Sequence, residues 1–587
     1  VLRQRVVSGM RGARRMLVAS CVFFAAGCQG LPRGSAATGG GFEPGWDLGA
    51  SATAAFGQHG MVASNDSLAT AVGVDILRRG GNAVDAAVAI AFALAVTHPE
   101  AGNIGGGGFM LVRLADGSTA ALDFRERAPA AATRDMFSRP GVPPSASTRG
   151  HLASGVPGAV AGMLAALERF GSVSREQAIA PAIALARAGF IVDTTFSRTI
   201  AGQRARIAPY AGASLFLPGG ESVRPGTLFR QPDLARTLEL ISRDGAATFY
   251  RGPIAELIVA EMRRGHGLIT AEDLASYRER WRAPLQTSYR GHTVIGMPPP
   301  SSGGIAVAAS LNILEAFGDL PPFGTAQRAH LLLAAFQRAF IDRNELIGDP
   351  DAAPIPTELL TSKAYARRLA RTIDPARATT TRAARAAVRE GNETTHIAVA
   401  DSFGNVVSLT TTINDSYGSG VFVEGAGFFL NDEMDDFASR PGAENADGIV
   451  AAEANAIAPG KVMLSSMAPT IVLDGDGRVL LAVGSRGGPR IITSVVQLIV
   501  NVVDHRMRLL DAMRAPRVHH VVSPDSVWFE RGFAPAVLDS LGAMGYKLKP
   551  IRTDTLPYIG RVIAVARRGN GWEGVVDPRY SGSAAGQ

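Results

Sequence analysis

The chain has 587 residues, of which 46% are hydrophobic, 19% are charged and only two are cysteines, and its formal net charge is +7. This length allows one large or two medium-sized globular domains, and the apolar fraction excludes a disordered chain. Two cysteines exclude a disulfide framework and a zinc site built on several thiolates. The positive charge is compatible with a nucleic-acid or membrane partner, so the position of the basic residues matters.

The N-terminal segment carries most of the excess charge. Residues 1–27 contain five arginines and no acidic residue, and an apolar run follows the arginines at 16–26. A basic stretch, a short apolar stretch and small residues at a cleavage point predict a secretory signal peptide, and the apolar run is too short for a permanent membrane helix. Small residues directly before Cys28 resemble a bacterial lipoprotein signal, in which Cys28 becomes the lipidated first residue; an ordinary signal peptide cut nearby is the alternative.

Removal of this segment leaves a body that is nearly neutral. Without the five arginines, 54 basic and 52 acidic residues remain, so the main argument for a nucleic-acid partner is lost. Both cysteines lie within the first 28 residues, which excludes a cysteine nucleophile in the body of the protein. We therefore expect an exported protein, periplasmic or held at the membrane by a lipid on Cys28.

The body begins after a Gly/Ala-rich tether over 28–56. Asn65-Asp66-Ser67 can cap a helix over 68–79, and a nearly apolar run predicts a buried helix over 82–98. The four glycines 105–108 precede a predicted strand over 109–113, with a hairpin into 120–124. A phosphate-binding loop requires the opposite order, strand before glycines, so these glycines predict close backbone packing.

The rest of the chain divides into three segments of different residue pattern. Residues 150–290 are predicted to be mainly helical, 372–393 form a polar linker, and 394–500 read as β-hairpins followed by one helix. The common serine-hydrolase, zinc-protease and P-loop motifs are missing. His519-His520 lacks a surrounding ligand set, so we predict a structural role for these histidines and no metal site. No cofactor is predicted either.

One hairpin brings polar side chains together. Two β-rich runs flank a turn at 401–405, and residues equidistant from Phe403 should pair. Thr394 then faces Thr412 with their Cβ atoms about 5 Å apart. Asn414 continues on the face of Thr412, because side chains alternate along a strand. Two hydroxyls and a carboxamide would converge at a strand end, although an ordinary threonine-rich strand pair has the same spacing.

Nine short motifs in one order resemble the gamma-glutamyltransferase family over about residues 55–575. They include Thr394-Thr395-His396 and Gly484-Ser485-Arg486-Gly487-Gly488, and the full set lies at 60–64, 81–87, 101–109, 123–126, 394–396, 431–437, 459–461, 464–467 and 484–488. The resemblance implies an α+β fold of the N-terminal-nucleophile hydrolase type, a four-layer αββα sandwich. It also implies a precursor that cuts itself between Glu393 and Thr394, giving a heterodimer of a large subunit (57–393 after the tether) and a small subunit (394–587).

The family's catalytic roles fall on four residues of this chain. Thr394 resembles the nucleophile, and Thr412 resembles the partner hydroxyl that bonds Thr394 Oγ. Gly487 and Gly488 resemble the oxyanion-hole pair. A predicted strand over 479–483, a glycine turn and a helix from about 491 support that role, because backbone N–H groups at such a turn suit a developing oxyanion.

The family's substrate-binding roles fall on six residues. Arg125, Ser465 and Ser466 resemble the α-carboxylate binders, and an arginine can clamp a carboxylate with two hydrogen bonds. The residues that resemble the α-amine binders are Asn414, Glu433 and Asp436. An acid at 436 favours a donor with a free α-amino group, whereas glutaryl-cephalosporin acylases of the same superfamily act on a side chain without one.

The resemblance implies cleavage of glutathione and other γ-glutamyl amides through an acyl-Thr394 ester, with water, amino acids or short peptides as acceptors. Residues 440–460 match the loop that covers the pocket in many bacterial members. The position that often holds an aromatic gate is Asp447 here, which leaves the balance of hydrolysis and transpeptidation open. The alternatives are a glutaryl-cephalosporin acylase, a poly-γ-glutamate-processing relative, and a non-catalytic envelope lipoprotein that reuses the fold.

Overall fold

A computed structural model describes residues 53–379, 391, 393–438, 453–522, 525–551 and 558–587. The predicted signal peptide, Cys28, nearly all of the tether and Asp447 lie outside the described residues. Most of the predicted linker lies outside them as well, so these predictions remain as stated above.

Two seven-stranded antiparallel sheets form the centre of the described part. Sheet I contains, in spatial order, Ser583–Gly586, Met61–Ser64, Thr395–Ala400, Val406–Thr412, Gly107–Arg113, Thr119–Asp123 and Arg280–Arg282. Sheet II contains Ala55–Gly57, Gly571–Val576, Arg561–Arg568, Val479–Arg486, Thr470–Leu473, His292–Gly296 and Leu285–Tyr289. Short strands outside these sheets are Phe190–Ile191, Leu228–Phe229, Phe422–Val423, Phe428–Phe429, Val518–His519, Val527–Phe529 and Leu548–Pro550.

Helices cover the outer faces of both sheets. The helices Ser67–Arg78 and Ala83–Thr97 pack on sheet I, and Gly303–Glu315 and Arg490–Val503 pack on sheet II. The α-helices of the described residues are Ser67–Arg78, Ala83–Thr97, Ala159–Phe170, Arg175–Ala188, Thr194–Gly202, Arg204–Ile207, Ala213–Phe216, Pro232–Asp244, Ala246–Tyr250, Pro253–Arg264, Ala271–Ser276, Gly303–Glu315, Ala326–Leu346, Thr357–Thr361, Lys363–Ala370, Arg490–Val503, Leu509–Arg514 and Pro535–Ala543. Over the described ranges, none of these helices has both the length and the apolar character needed to cross a membrane.

Alternation along one strand explains the four layers. In Thr395–Ala400, Ile397 and Val399 join the core beneath the sheet I helices, whereas Ala398 and Ala400 join the core shared with sheet II. Because side chains alternate between faces, small alanines meet the second sheet and larger side chains meet the helices. The predicted αββα arrangement is confirmed.

The first helix starts at its predicted cap, and the second helix is capped as well. The Asp66 side chain accepts hydrogen bonds from the N–H groups of Leu68 and Ala69, and Asn82 forms a capping box with Asp85. Such caps satisfy backbone donors that the first helical turn leaves free. The predicted helices at 68–79 and 82–98, and the mainly helical segment 150–290, are confirmed.

The four consecutive glycines pack as predicted, with their backbone pressed against neighbouring chain. A Cβ atom would lie 2.1 Å from the Phe429 carbonyl oxygen at Gly105 and 2.1 Å from the Thr412 carbonyl oxygen at Gly106. At Gly108 it would lie 2.3 Å from the Thr410 carbonyl oxygen. These glycines therefore allow the strand Gly107–Arg113 to approach the end of the hairpin at Thr412.

This close approach predicts a sharp stability difference between two glycine-to-alanine changes. Gly106→Ala should lower the free energy of unfolding by about 1–3 kcal/mol, because the added methyl group forces the backbone of Thr412 to shift. Gly202→Ala is the matched control, since nothing lies within 4 Å of its added Cβ. Thermal unfolding of both variants checks the prediction, and equal midpoints would contradict it.

Candidate active site

The central hairpin pairs in the predicted register. Thr395 lies opposite Thr411, and Ala400 lies opposite Val406, so every pair is equidistant from Phe403. The turn is held by Asp401, whose Oδ1 accepts hydrogen bonds from the N–H groups of Phe403 and Asn405, each at 2.9 Å. This local turn places Thr394 and Thr412 at the same end of the hairpin.

The residue before Thr394 is held by its backbone. The Thr412 hydroxyl donates a hydrogen bond of 2.9 Å to the carbonyl oxygen of Glu393, and the Asn414 N–H donates to the Thr412 hydroxyl at 2.8 Å. The Glu393 N–H donates to the Asn414 carbonyl oxygen at 3.1 Å. The family resemblance implies a hydrogen bond between Thr412 and Thr394 Oγ. In this uncut chain the Thr412 hydroxyl instead bonds the Glu393 carbonyl, which is still attached to Thr394.

Two residues outside the predicted site support the start of the strand. Asn65 Oδ1 accepts a hydrogen bond of 2.7 Å from the Thr395 hydroxyl, and Thr394 is only 4% exposed. His396 Nδ1 lies 2.9 Å from the Thr410 hydroxyl, and burial lowers its pKa to about 3, so the ring is neutral. Sequence reasoning interpreted Asn65 only as part of a helix cap and missed its contact with the hairpin.

The predicted glycine turn follows a strand of sheet II. The strand Val479–Arg486 extends three residues beyond the prediction, because Gly484, Ser485 and Arg486 pair with the strand Arg561–Arg568. Gly487 and Gly488 have φ angles of 123° and 56°, a region that favours glycine, and the helix Arg490–Val503 follows, which confirms the predicted helix. The turn thus lies between a buried strand and a helix N-terminus, and Gly488 lines the same pocket as Thr394.

One pocket collects most of the predicted site. Its lining residues are Arg125, Gly391, Thr394, Thr412, Asn414, Glu433, Asp436, Ser465, Met467, Gly488 and Ile491. Gly487 and Ser466 directly adjoin this set in the chain. Gly391, which precedes the Glu393–Thr394 bond, donates its N–H to Asn414 Oδ1 at 2.6 Å, so the uncut chain itself occupies the Asn414 side of the pocket.

The electrostatics of the pocket centre on one buried guanidinium. Arg125 Nη1 lies 2.7 Å from Glu433 Oε2 and 3.3 Å from Glu126 Oε2, and Nη2 pairs with Asp436. Burial raises the pKa of Glu433 and of Asp436 well above their usual range, and it raises the pKa of Glu126 to about 7. The three carboxyl groups share the one guanidinium that pairs with them directly, so a ligand that brings a cation would stabilise their ionised forms.

Ser465 and Ser466 are held in place by hydrogen bonds to a buried arginine and a buried serine. Arg343 Nη2 donates to the Ser466 hydroxyl at 2.9 Å, and Arg343 Nε donates to the Ser302 hydroxyl at 2.9 Å. Ser302 in turn donates its N–H and its hydroxyl to the Ser465 carbonyl oxygen, each at 2.7 Å. Sequence reasoning missed both Arg343 and Glu126; the available signals were a basic residue on a buried helix and an acid adjoining Arg125.

The described residues contain no group of three or more His, Cys, Asp or Glu side chains that could hold a metal ion. His519 Nδ1 lies 2.9 Å from the Thr493 hydroxyl, which agrees with the structural role predicted for this histidine.

The raised pKa of Glu126 predicts a pH-dependent stability difference. In the folded state Glu126 binds its proton more tightly than an ordinary glutamate, so its contribution to stability is present at low pH and is lost as pH rises through about 7. Between about pH 4.5 and 7 the free energy of unfolding should fall more steeply for the wild type than for Glu126→Gln. Denaturant titration at several pH values measures this, and parallel pH profiles would contradict it.

Comparisons with known proteins agree with this geometry. The family model described as Gamma-glutamyltranspeptidase matches residues 69–587. The glutathione hydrolase proenzyme of Escherichia coli strain K12 is 47% identical over 500 residues, which cover 84% of this chain and 86% of that protein.

Solved structures share the fold. A cephalosporin acylase from Bacillus halodurans has a TM-score of 0.81 at 28% identity, covering 91% of this chain and 97% of that one. The gamma-glutamyltranspeptidase of Helicobacter pylori has a TM-score of 0.53 at 45% identity, covering 54% of this chain and 92% of that one. The predicted N-terminal-nucleophile hydrolase fold is confirmed. From the family match over most of its length and the extended identity, this chain belongs to the gamma-glutamyltranspeptidase family.

Proposed function

We propose that this protein hydrolyses glutathione and other γ-glutamyl amides, and transfers the γ-glutamyl group, through an ester on Thr394. The observation that carries the proposal is one pocket that contains Thr394 and the buried Arg125 with its surrounding carboxyl groups. A nucleophile and a binding site for a zwitterion are thus adjacent. The glutathione hydrolase relative at 47% identity supports the same activity.

Activation begins with self-cleavage. Thr394 Oγ attacks the Glu393 carbonyl carbon, the bond to the Thr394 nitrogen breaks, and the proton from Oγ ends on that nitrogen. Water then hydrolyses the ester, leaving a carboxylate on Glu393 and a free amine and hydroxyl on Thr394. The amine can act as the base for the hydroxyl, so no histidine is required. The products are the large and small subunits of a heterodimer.

Substrate recognition uses charge complementarity. The α-carboxylate of the γ-glutamyl group would bind Arg125, Ser465 and Ser466, and its α-ammonium would face Asn414, Glu433 and Asp436. The ammonium would add a positive charge beside the buried carboxyl groups of Glu433 and Asp436. A glutaryl group has no ammonium, so the pocket favours a γ-glutamyl donor over the acylase alternative, although a cephalosporin acylase shares the fold.

Catalysis repeats the chemistry of activation. Thr394 attacks the γ-carbonyl, and the Gly487 and Gly488 N–H groups stabilise the oxyanion, a contribution of about 3–4 kcal/mol per donor in well-studied hydrolases. The leaving amine departs with the proton from Thr394. Water then releases glutamate, or an amino acid or short peptide accepts the group.

The cellular location follows from the N-terminal sequence alone. Residues 1–27 would direct export and Cys28 would carry a lipid, so that the enzyme works in the periplasm on the membrane surface. A nearly neutral, cysteine-free body is compatible with an oxidising compartment.

Replacement of the nucleophile tests the central proposal. On a denaturing gel the wild type should give two chains divided at Glu393–Thr394, whereas Thr394→Ala should remain one chain and release no glutamate from glutathione. Thr394→Ser is the matched control, because it keeps a hydroxyl and should still be cut. A wild type that remains one chain and does not hydrolyse glutathione would overturn the proposal.

Replacement of an amine binder tests the substrate class. Asp436→Asn should raise KM for glutathione by about 10- to 100-fold, because a charge-assisted hydrogen bond of about 1.5–3 kcal/mol is lost. The rate on a glutaryl anilide, which lacks the ammonium, should fall much less. The ratio of kcat/KM for the two substrates is the readout, and an unchanged ratio would argue against the assignment of Asp436.

A further inference from the structure

The side chain of Glu393 lies in a buried charged cluster that the chemistry above does not use. Its carboxylate pairs with Arg486, and Arg561 Nη1 lies 3.6 Å from the same oxygen. The Arg486 side chain is only 1% exposed, and that of Glu393 is 16% exposed. The residue before the proposed cut is therefore anchored by its side chain as well as by its backbone.

The two arginines are themselves fixed by one aromatic ring and one acid. The Tyr580 ring centroid lies 4.2 Å from the guanidinium carbon of Arg486 and 4.0 Å from that of Arg561. Arg486 Nη2 lies 3.2 Å from Glu100 Oε1, and the Tyr580 hydroxyl donates to Glu100 Oε2 at 2.9 Å. The guanidinium groups are therefore held in place before Glu393 binds them.

Glu393 also balances the charge of this cluster. Glu100 and Glu393 offer two carboxylates to Arg486 and Arg561. Without the Glu393 carboxylate, Glu100 alone would face both guanidinium groups. Since unbalanced buried charge is costly, Arg486 and Arg561 favour an acidic side chain at position 393.

We propose that Arg486 and Arg561 are positioning residues for self-cleavage: they bind the Glu393 carboxylate and thereby hold its carbonyl carbon in place for attack by Thr394 Oγ. This inference rests on the proposed cut at Glu393–Thr394. The Glu393 N–H and carbonyl are bound by Asn414 and Thr412, so the side-chain pair adds a third restraint.

Arg486 also lies next to the glycine turn in the chain. Arg486 ends its strand immediately before Gly487, so the same residue that binds Glu393 leads into the turn with the oxyanion N–H groups. The pair thus links the scissile carbonyl to the groups that would stabilise its oxyanion. Orientation of this kind is valuable, because a misplacement of about 1 Å can cost about 100-fold in rate.

The experiment measures the rate of cleavage at Glu393–Thr394. The full chain is made by cell-free synthesis, and samples taken at timed intervals are run on a denaturing gel. Glu393→Ala and Arg486→Met should each slow cutting by about tenfold or more. The double variant should be no slower than the slower single variant, because both changes remove the same pair. Glu393→Asp should recover part of the rate that Glu393→Ala loses, and Arg561→Met should have a smaller effect, since its contact is longer.

A second ion pair on sheet II provides the matched control. Arg568 lies at the other end of the strand that begins with Arg561, and its Nη1 is 3.5 Å from Glu573 Oε2. Arg568→Met should be cut at the wild-type rate. Thermal unfolding of the uncut chains identifies variants that fail to fold. If Arg486→Met fails to fold, the cleavage rates of Glu393→Ala and Glu393→Asp test the positioning role.

The outcomes separate the two proposals. If the wild type is not cut, the proposed function fails and the positioning role fails with it. If the wild type is cut but Glu393→Ala is cut equally fast, only the positioning role is overturned. The same conclusion follows if the effects of Glu393→Ala and Arg486→Met multiply in the double variant.

Discussion

The main-chain pairing of the strands Thr395–Ala400 and Val406–Thr412 determines the geometry of everything around the site. It places Thr412 beside the Glu393–Thr394 bond, so that the Thr412 hydroxyl reaches the Glu393 carbonyl. Asn65 and the glycines 105–108 pack against the same end of the hairpin. A slip of one residue would turn every side chain to the opposite face and separate the two threonines.

The second sheet completes the site only because the two sheets meet through small side chains. Ala398 and Ala400 face sheet II, and a Cβ at Gly484 would lie 2.2 Å from His396 Nδ1. This close packing brings Gly488 to the pocket that Thr394 lines. Thr394 and the glycine turn adjoin strands of different sheets, so their relative position depends on the packing of the core.

Buried charge shapes both sides of the Glu393–Thr394 bond. In the pocket beside Thr394, three carboxyl groups contact the guanidinium of Arg125. On the other side of the Glu393–Thr394 bond, Arg486 and Arg561 form ion pairs with the Glu393 carboxylate. Because unpaired buried ions are costly, the proposed zwitterionic ligand and the acidic residue 393 would each complete the charge balance of one cluster.

The sequence by itself determined the features that depend on neighbours along the chain. The hairpin register, the cap at Asp66 and the close packing of glycines 105–108 follow from local turn and backbone geometry, and the order of motifs identified the family. Tertiary structure alone decided which distant side chains meet. Arg343 reaches Ser466 across 123 residues, and Arg486 reaches Glu393 from another sheet. No local pattern encodes such contacts, because they arise only when the core brings the sheets and helices together.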